Sequence, residues 1–382
     1  MIPYGRQNIT DEDVTAVVEV LKSGFITQGP AVEYFEKKIC EKVNCKSAVA
    51  VNSATSALHI ACLALGLKKG DILWTSGISF VASANCGIYC GANVDFVDIQ
   101  PDTVNICINS LEAKLKNAAV KKQLPKILIV VHMCGSPADL KKIHELSLQY
   151  KFRIIEDASH AIGAEYDGKK IGSCLFSDAA VFSFHPVKIV TTGEGGVITT
   201  NDNHVAQKLQ MLRSHGVTRN NELLSNKSEG DWYYEQIDLG YNYRITDIQA
   251  ALGISQLGRL ENIVAQRNIK AANYHELLKD LPLNFQKVYV GAKSAYHLFV
   301  IQLDNHKNRK RVFNFLKENK IGVNVHYIPI YHQPYYQKFG YDKKNFRGCE
   351  KYYKACISLP LFPELSNSQQ EYIAYTLSKA LI

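Results

Sequence analysis

The stretch AAVFSFHPVKIVTTGEGGVITT, Ala179 to Thr200, decides the fold class. Its two ends, Ala179–Phe184 and Val197–Thr200, are short apolar runs of the kind that form strands covered on both faces. Between them runs a loop with one lysine, Lys188, closing on Gly193, Gly195 and Gly196 around Glu194. A lysine held between two buried strands loses solvation of its charged form, so its pKa falls. A neutral amine is what a Schiff base requires. The plainer reading is a solvated loop lysine, and Ser183, whose hydroxyl can donate to a phosphate, weighs against it.

Working outward, Ala48–Val51, Val94–Val97, Ile127–Val131 and Arg153–Ile155, the last running on into Glu156 and Asp157, are predicted strands. Helical patterns alternate with them: Thr55–Leu65, with Leu58, Cys62 and Leu65 on one face and Gly66 as a stop, and Leu140–Tyr150. The alternation predicts an α/β fold with a central, mostly parallel sheet covered on both faces. In such sheets ligands bind beyond the carboxyl ends of the strands, which gathers Asn52–Ser56, Asp157–His160 and the Lys188 loop around one crevice. Residues 245–281 read as helical with few breakers. A strand (Tyr296–Leu303), a helix (Arg309–Asn319), a strand (Gly322–Tyr327) and helices follow, the last opened by a capping box, Ser368-x-x-Glu371. The expected division is a large domain over residues 1–250, including the N-terminal segment, and a small α+β domain over 251–382.

Composition narrows the classes. The chain has 382 residues, 46% apolar and 21% charged, ordinary for a globular protein. The net charge of +8 suits an anionic small molecule, yet the densest basic run, Lys307–Arg311, has no interleaved aromatics, so no nucleic-acid platform is predicted. The ten cysteines form no C-x-x-C pair and no zinc spacing; they read as small buried hydrophobes in a reducing compartment. The N-terminus is no signal peptide. The longest uncharged stretch, Ile72–Val94, is rich in Ser, Asn and Gly and reads as buried α/β interior, not a membrane span. A cytoplasmic location is expected, with no metal.

Three more segments carry chemistry. In IIEDASHAIG (Ile154–Gly163) adjacent strand residues face opposite sides, so only one of Glu156 and Asp157 can face the crevice. A carboxylate there can hold a protonated pyridine nitrogen, and His160 can stack on a ring or bond a phenolic oxygen; Asp157 also reads as a helix N-cap. In NSATSA (Asn52–Ala57), small residues after a strand open a helix whose N–H groups and dipole favour an anion, with Thr55 and Ser56 as donors. No G-x-G-x-x-G or P-loop pattern is present, which argues against dinucleotides and NTPs. In LGYNYRITDIQAALG (Leu239–Gly253), Asn242 and Arg244 lie between aromatics ahead of Thr246, a predicted N-cap.

NSATSAL, EDASHAIG, FSFHPVK…GEGG and GYNYR occur in that order over nearly the whole chain, which resembles the DegT/DnrJ/EryC1/StrS sugar aminotransferases, pyridoxal-phosphate (PLP) enzymes of the aspartate-aminotransferase fold type. The resemblance implies that PLP is bound covalently by Lys188, that Asp157 holds the pyridine nitrogen, and that His160 contacts the phenolic oxygen, where many relatives have Gln. It implies that Phe80 stacks on the ring, although its neighbours alone suggest a core Phe. Thr55, Ser56 and Ser183 would bind the phosphate, joined by Asn242 from the partner of a homodimer with shared sites. Tyr4, GFITQG (Gly24–Gly29) and NVHYIPIY (Asn324–Tyr331) resemble the UDP-4-keto-sugar aminotransferases of the pseudaminic acid pathway, whose product decorates flagellins. By that likeness Tyr4, Gly24, Phe25, Ile26, Thr27, Ala54, Ser183, Asn242, Asn324, Val325, His326 and Tyr327 contact substrate. The implied reaction moves the amino group of L-glutamate to C4 of UDP-2-acetamido-2,6-dideoxy-β-L-arabino-hexos-4-ulose. The alternatives are a UDP-pentose or dTDP-hexose ketone, a sugar dehydratase, which typically has histidine in place of Lys188, or a ligand sensor.

Overall fold

The computed structural model describes residues 1–226 and 229–381. The large sheet has seven strands: β1 (Ser47–Val51), β2 (Ile72–Ser76), β3 (Asn93–Val97), β4 (Ile127–Val131), β5 (Arg153–Asp157), β6 (Ala179–Ser183) and β7 (Gly196–Thr200). They lie in the order β1-β7-β6-β5-β4-β2-β3. Only β7 runs against the others, because it returns directly from β6 through the Lys188 loop. The remaining five neighbours-in-direction of β1 leave their carboxyl ends, like that of β1, at one edge.

Period-two alternation builds a core on each face. Val49, Val51, Leu73, Ile127, Ile129, Val131, Ile155, Val181 and Ile198 face one side. There they meet buried side chains of the helices Ala54–Ala64 and Ala82–Tyr89. Ala48, Ala50, Trp74, Leu128, Val130, Ile154, Phe182 and Val197 face the other, covered by Pro30–Val43, Ile108–Lys121 and Leu140–Tyr150. Full burial of one such Ile, Leu or Phe contributes about 1.5–3 kcal/mol. The uncharged stretch Ile72–Val94 is the interior of this layer, as its composition predicts. Among the described residues no helix is long and apolar enough to cross a membrane. The ten cysteines are all free thiols, six of them buried.

The predicted helical run over 245–281 is two helices, Asp247–Gly258 and Leu260–Leu278, broken at Arg259 (φ −106°, ψ 5°). Arg259 and Gln256 turn at this break toward Asp13, which is fully buried at the start of the helix Asp11–Lys22. Asp13 accepts from Arg259 Nη2 at 2.5 Å and Gln256 Nε2 at 2.6 Å through one oxygen, and from Ser255 Oγ at 2.6 Å through the other. Thr246 caps the first of the two helices in a capping box with Gln249, as expected. Next to it, Asp247 accepts from Gly29 N (2.8 Å) and Ala31 N (2.9 Å), fixing the entry to Pro30–Val43. Gly253 lets these two helices close: a Cβ there would sit 2.6 Å from the Phe35 ring.

A third core joins Tyr274, Leu278, Phe299, Ile301, Leu316, Ile357, Leu359, Ile373 and Leu377. Its sheet is antiparallel: Leu283–Phe285, Phe299–Leu303, Cys356–Leu359 in that order. Three sequence expectations need correction. Gly322–Tyr327 is not a strand; it is an irregular segment with single bridges, Ile2 to Ile321 and Asn324 to Ser358, because the N-terminal arm lies along it. The strand Tyr296–Leu303 begins only at Phe299. The last helix, Asn367–Leu381, is capped two residues earlier than predicted: Ser366 Oγ accepts from Gln369 N (3.1 Å) and Gln369 Oε1 from Ser366 N (2.9 Å). The basic run at 307–311 is a largely exposed face, with Arg309 lying on the Tyr353 ring, 4.7 Å from its centroid.

Removing a buried carboxylate strands the cations and amides around it. Asp13→Ala is expected to lower stability by about 3 kcal/mol in denaturant titration, and Asp13→Asn by less. An Asp13→Ala protein as stable as the parent would show that this cluster does not hold the helix junction.

Candidate active site

The carboxyl edge of the sheet determines which side chains meet. On β5, alternation sends Ile155 and Asp157 toward the helix Ala82–Tyr89 and sends Glu156 to the opposite face. Glu156 bonds His132 Nε2 (2.9 Å) and Ser177 Oγ there. Asp157, 5% exposed, faces the crevice. Its Oδ2 accepts from Ser83 Oγ at 2.6 Å, and Oδ1 from Ser159 N at 3.2 Å. Ser79 Oγ lies 2.7 Å from Ser83 Oγ and supplies that hydroxyl in turn. No helix starts at Asp157, so it is not an N-cap.

Lys188 follows β6 in a turn closed by its own N–H on His185 O (2.9 Å). Burial pushes its amine down to about 8, against the opposing pull of Asp157. Part of the lysine's surface stays accessible, and its amine is close enough to His160, His297 and His326 to depress all three, after burial itself. His326 falls to about 3. The imidazoles around Lys188 are therefore neutral at physiological pH.

His160 is buried, with Nε2 3.2 Å from Tyr327 Oη and Nδ1 without a partner. Burial holds the Tyr327 phenol protonated. Where Tyr327 donates, the His160 proton sits on Nδ1, which is buried without a partner in the chain. Phe80 is 57% exposed, so it is not a core residue; its ring lies 6.1 Å from that of Tyr327. The arm Ile2–Tyr4 bonds Lys320, Gly322 and Leu361, which sets Tyr4 5.5 Å from the His326 ring. His326 Nδ1 meets Ser358 Oγ at 2.7 Å, and Asn324 bonds Ser358 backbone and lies 3.4 Å from His326 Nε2. Val325 packs against the large core.

An anion cradle lies beside them. Val51, Gly196 and Ser183 are in register across β1, β7 and β6, and the helix Ala54–Ala64 starts immediately after β1. A Cβ on Gly196 would come 2.6 Å from Ala54 N and the Ser53 carbonyl. Ser53 caps Ser56 N at 3.1 Å. The Ser56 hydroxyl donates to Asn52 Oδ1 at 2.6 Å, so its proton is already committed. The helix N-terminus leaves the N–H groups of Ala54 and Thr55 without intrahelical acceptors, beside the Thr55 hydroxyl.

Two groups of expected residues make their own contacts with other parts of the chain. Thr27 bridges to Thr246, Ile26 O accepts from Asp247 N, and Phe25 and Ile26 are more than half exposed; Gly24 lies in the same turn. Asn242 is exposed and bridges to Ser214. Sequence reading also missed two contributors, Ser83 and His297. Ser83 lies in the first turn of the helix Ala82–Tyr89, where local pattern does not distinguish it from an ordinary helix serine.

PLP fits these residues. The amine of Lys188, a carboxylate at Asp157, an orphaned buried nitrogen on His160 and an anion cradle closed by Gly196 match its aldehyde, pyridine nitrogen, phenolic oxygen and phosphate. Among the described residues no cluster of His, Cys, Asp or Glu is arranged to hold a metal ion. Gly196→Ala is expected to weaken PLP binding to cofactor-stripped protein by about tenfold or more, the scale of one lost charged hydrogen bond, by equilibrium dialysis. Unchanged affinity would show that the phosphate does not sit at this helix.

The DegT/DnrJ/EryC1/StrS aminotransferase family matches residues 7–378. The chain is 38% identical to the spore coat polysaccharide biosynthesis protein SpsC of Bacillus subtilis, over 96% of this chain and 93% of that protein. It is 37% identical to a UDP-4-amino-4,6-dideoxy-N-acetyl-beta-L-altrosamine transaminase of Campylobacter jejuni, over 100% and 98%. Among solved structures it resembles Helicobacter pylori PseC, an aminotransferase of pseudaminic acid biosynthesis (TM-score 0.90, 32% identity, covering 100% of this chain and 99% of that one). It also resembles a putative sugar aminotransferase of Streptococcus pneumoniae in its PLP form (TM-score 0.90, 27% identity, 99% and 98%). The chain belongs to the DegT/DnrJ/EryC1/StrS aminotransferase family and is a PLP-dependent sugar aminotransferase.

Proposed function

We propose that this enzyme transfers the amino group of L-glutamate to C4 of UDP-2-acetamido-2,6-dideoxy-β-L-arabino-hexos-4-ulose, a step toward pseudaminic acid. The observation that carries the chemistry is the amine of Lys188, lowered to about 8 by burial, at the same sheet edge as the Asp157 carboxylate. The likeness to the Campylobacter jejuni transaminase and to PseC supports the sugar.

PLP, when bound, supplies an aldehyde carbon for amines and a ring that withdraws electrons from bonds beside the nitrogen. Lys188 is the residue that bonds it. Lys188 Nζ would take the proton from the α-carbon of L-glutamate and, with the sugar bound, would return a proton to C4. Its neutral fraction grows as pH rises through about 8, so base strength and availability are both useful near neutrality. Asp157, held by Ser83 and Ser159, is the residue that would bond the pyridine nitrogen. His160 Nδ1 donates to the phenolic oxygen. Tyr4, His326 and Tyr327 form a wall against the sugar with Asn324 behind them, and Phe80 covers the ring.

The exposed Asn242 serves the phosphate of a second copy, and Gly24–Thr27 complete that copy's sugar pocket; the active form is then a homodimer.

The test offers purified enzyme L-glutamate with either the UDP-linked 4-ketone or a dTDP-linked 4-keto-6-deoxyhexose, and reads 2-oxoglutarate and the amino sugar. Turnover of the UDP sugar at least tenfold above the dTDP sugar is expected, with Lys188→Ala reducing it on the order of 10³-fold. Preference for the dTDP sugar would overturn the substrate, and turnover retained in Lys188→Ala would overturn the mechanism.

A further inference from the structure

His297 has appeared so far only as one of the imidazoles near Lys188, yet it is buried against His160. Their ring centroids are 4.4 Å apart with planes at 43°. Its Nδ1, like that of His160, has no partner. The residue before it, Tyr296, sits at φ 45°, the left-handed region that a bulky side chain enters at a cost of roughly 1–3 kcal/mol.

What holds that turn is a buried cation. Arg267, 1% exposed, donates through Nη1 to the carbonyls of Tyr296 (3.2 Å), His297 (3.2 Å) and Leu361 (3.1 Å). Ser294 Oγ accepts from Tyr296 N at 3.0 Å, and Leu298 N and Ala295 N bond Cys134 O and Gly135 O beyond β4. Gly135 touches the other member of the pair: a Cβ there would lie 2.7 Å from His160 O and 3.0 Å from His297 N. Burial lowers the pKa of this guanidinium, against the pull of Glu364, and a buried cation whose Nη1 hydrogen bonds go to carbonyls is a costly way to stabilise a fold. A strained residue that is over-determined by its surroundings points to function at the next position.

We infer that His297 is a positioning residue for His160, fixed by Arg267, and that its ring sets the direction in which His160 Nδ1 points into the cofactor site. His160 is gripped from two sides: Tyr327 bonds Nε2, which fixes the tautomer, and His297 packs on the ring, which fixes its plane. Rotation of His160 about its Cβ–Cγ bond would break the first contact and clash with the second. This inference rests on the reading that His160 contacts the cofactor.

The test is a double-mutant cycle read by PLP affinity of cofactor-stripped protein, by the pH midpoint of the bound cofactor's visible band, and by the melting temperature of cofactor-free protein. His297→Phe keeps a ring of similar size, and it is expected to weaken PLP binding about tenfold and to move the band's pH midpoint in the same direction as His160→Ala. The double variant should match His160→Ala alone, since His297 acts only through His160. Arg267→Lys should follow His297→Phe in both cofactor readouts. Additive effects, or a His297→Phe protein that binds PLP normally while His160→Ala does not, would overturn the inference alone. A His160→Ala protein with normal affinity and an unmoved band would overturn the reading of His160, and the inference with it. A His297→Phe change confined to the melting temperature would make His297 structural and equally overturn it.

Discussion

Two groups at one edge of the sheet need opposite treatment by the protein: Lys188 has to lose its proton readily and Asp157 has to keep its charge. Burial alone would push both toward neutrality. The fold separates their fates through donors. Asp157 accepts hydrogen bonds from Ser83 and Ser159, whereas burial lowers Lys188 to about 8, and His160, His297 and His326 beside it are lowered as well. The rest of the architecture maintains that arrangement.

The maintenance is distributed. Strand alternation on β5 turns Asp157, not Glu156, toward Ser83 of the helix Ala82–Tyr89, and Ser79 just ahead of that helix bonds Ser83 in turn. The reversed β7 brings Gly196 against the first residues of the helix Ala54–Ala64, so an anion site stands beside the lysine. The segment Asn324–Tyr327 supplies the opposite wall, His326 and Tyr327, and the N-terminal arm closes over it with Tyr4. Each wall comes from a different part of the chain, so the site depends on the junction between the cores as much as on either core.

Much of this was legible in the sequence, for physical reasons. Buried strands read as apolar runs, and Ile127–Val131 and Leu140–Tyr150 fall where periodicity puts them. Asp157 or Glu156 stayed open because alternation says that they differ, not which one faces the ligand; that answer came from a helix seventy-odd residues earlier in the chain. Residues 322–327 look like a strand by composition, but their hydrogen bonds are shared with the N-terminal arm, a long-range partner that local pattern cannot reveal. Ser366/Gln369 and Ser368/Glu371 both satisfy the capping pattern, and only the helix start distinguishes them. The break at Arg259 follows from Asp13, far away in sequence. His297 was missed because a single histidine at the start of an apolar strand looks like ordinary core; only its contact with His160 marks it.

The central claim is that Lys188 is the amine that bonds the cofactor. Reduction of the PLP-loaded enzyme with borohydride, followed by digestion and mass spectrometry, tests it directly. The account predicts one phosphopyridoxyl-modified peptide, with the added mass on Lys188. The mass on any other lysine, or no modified peptide from a protein that binds PLP, would contradict it.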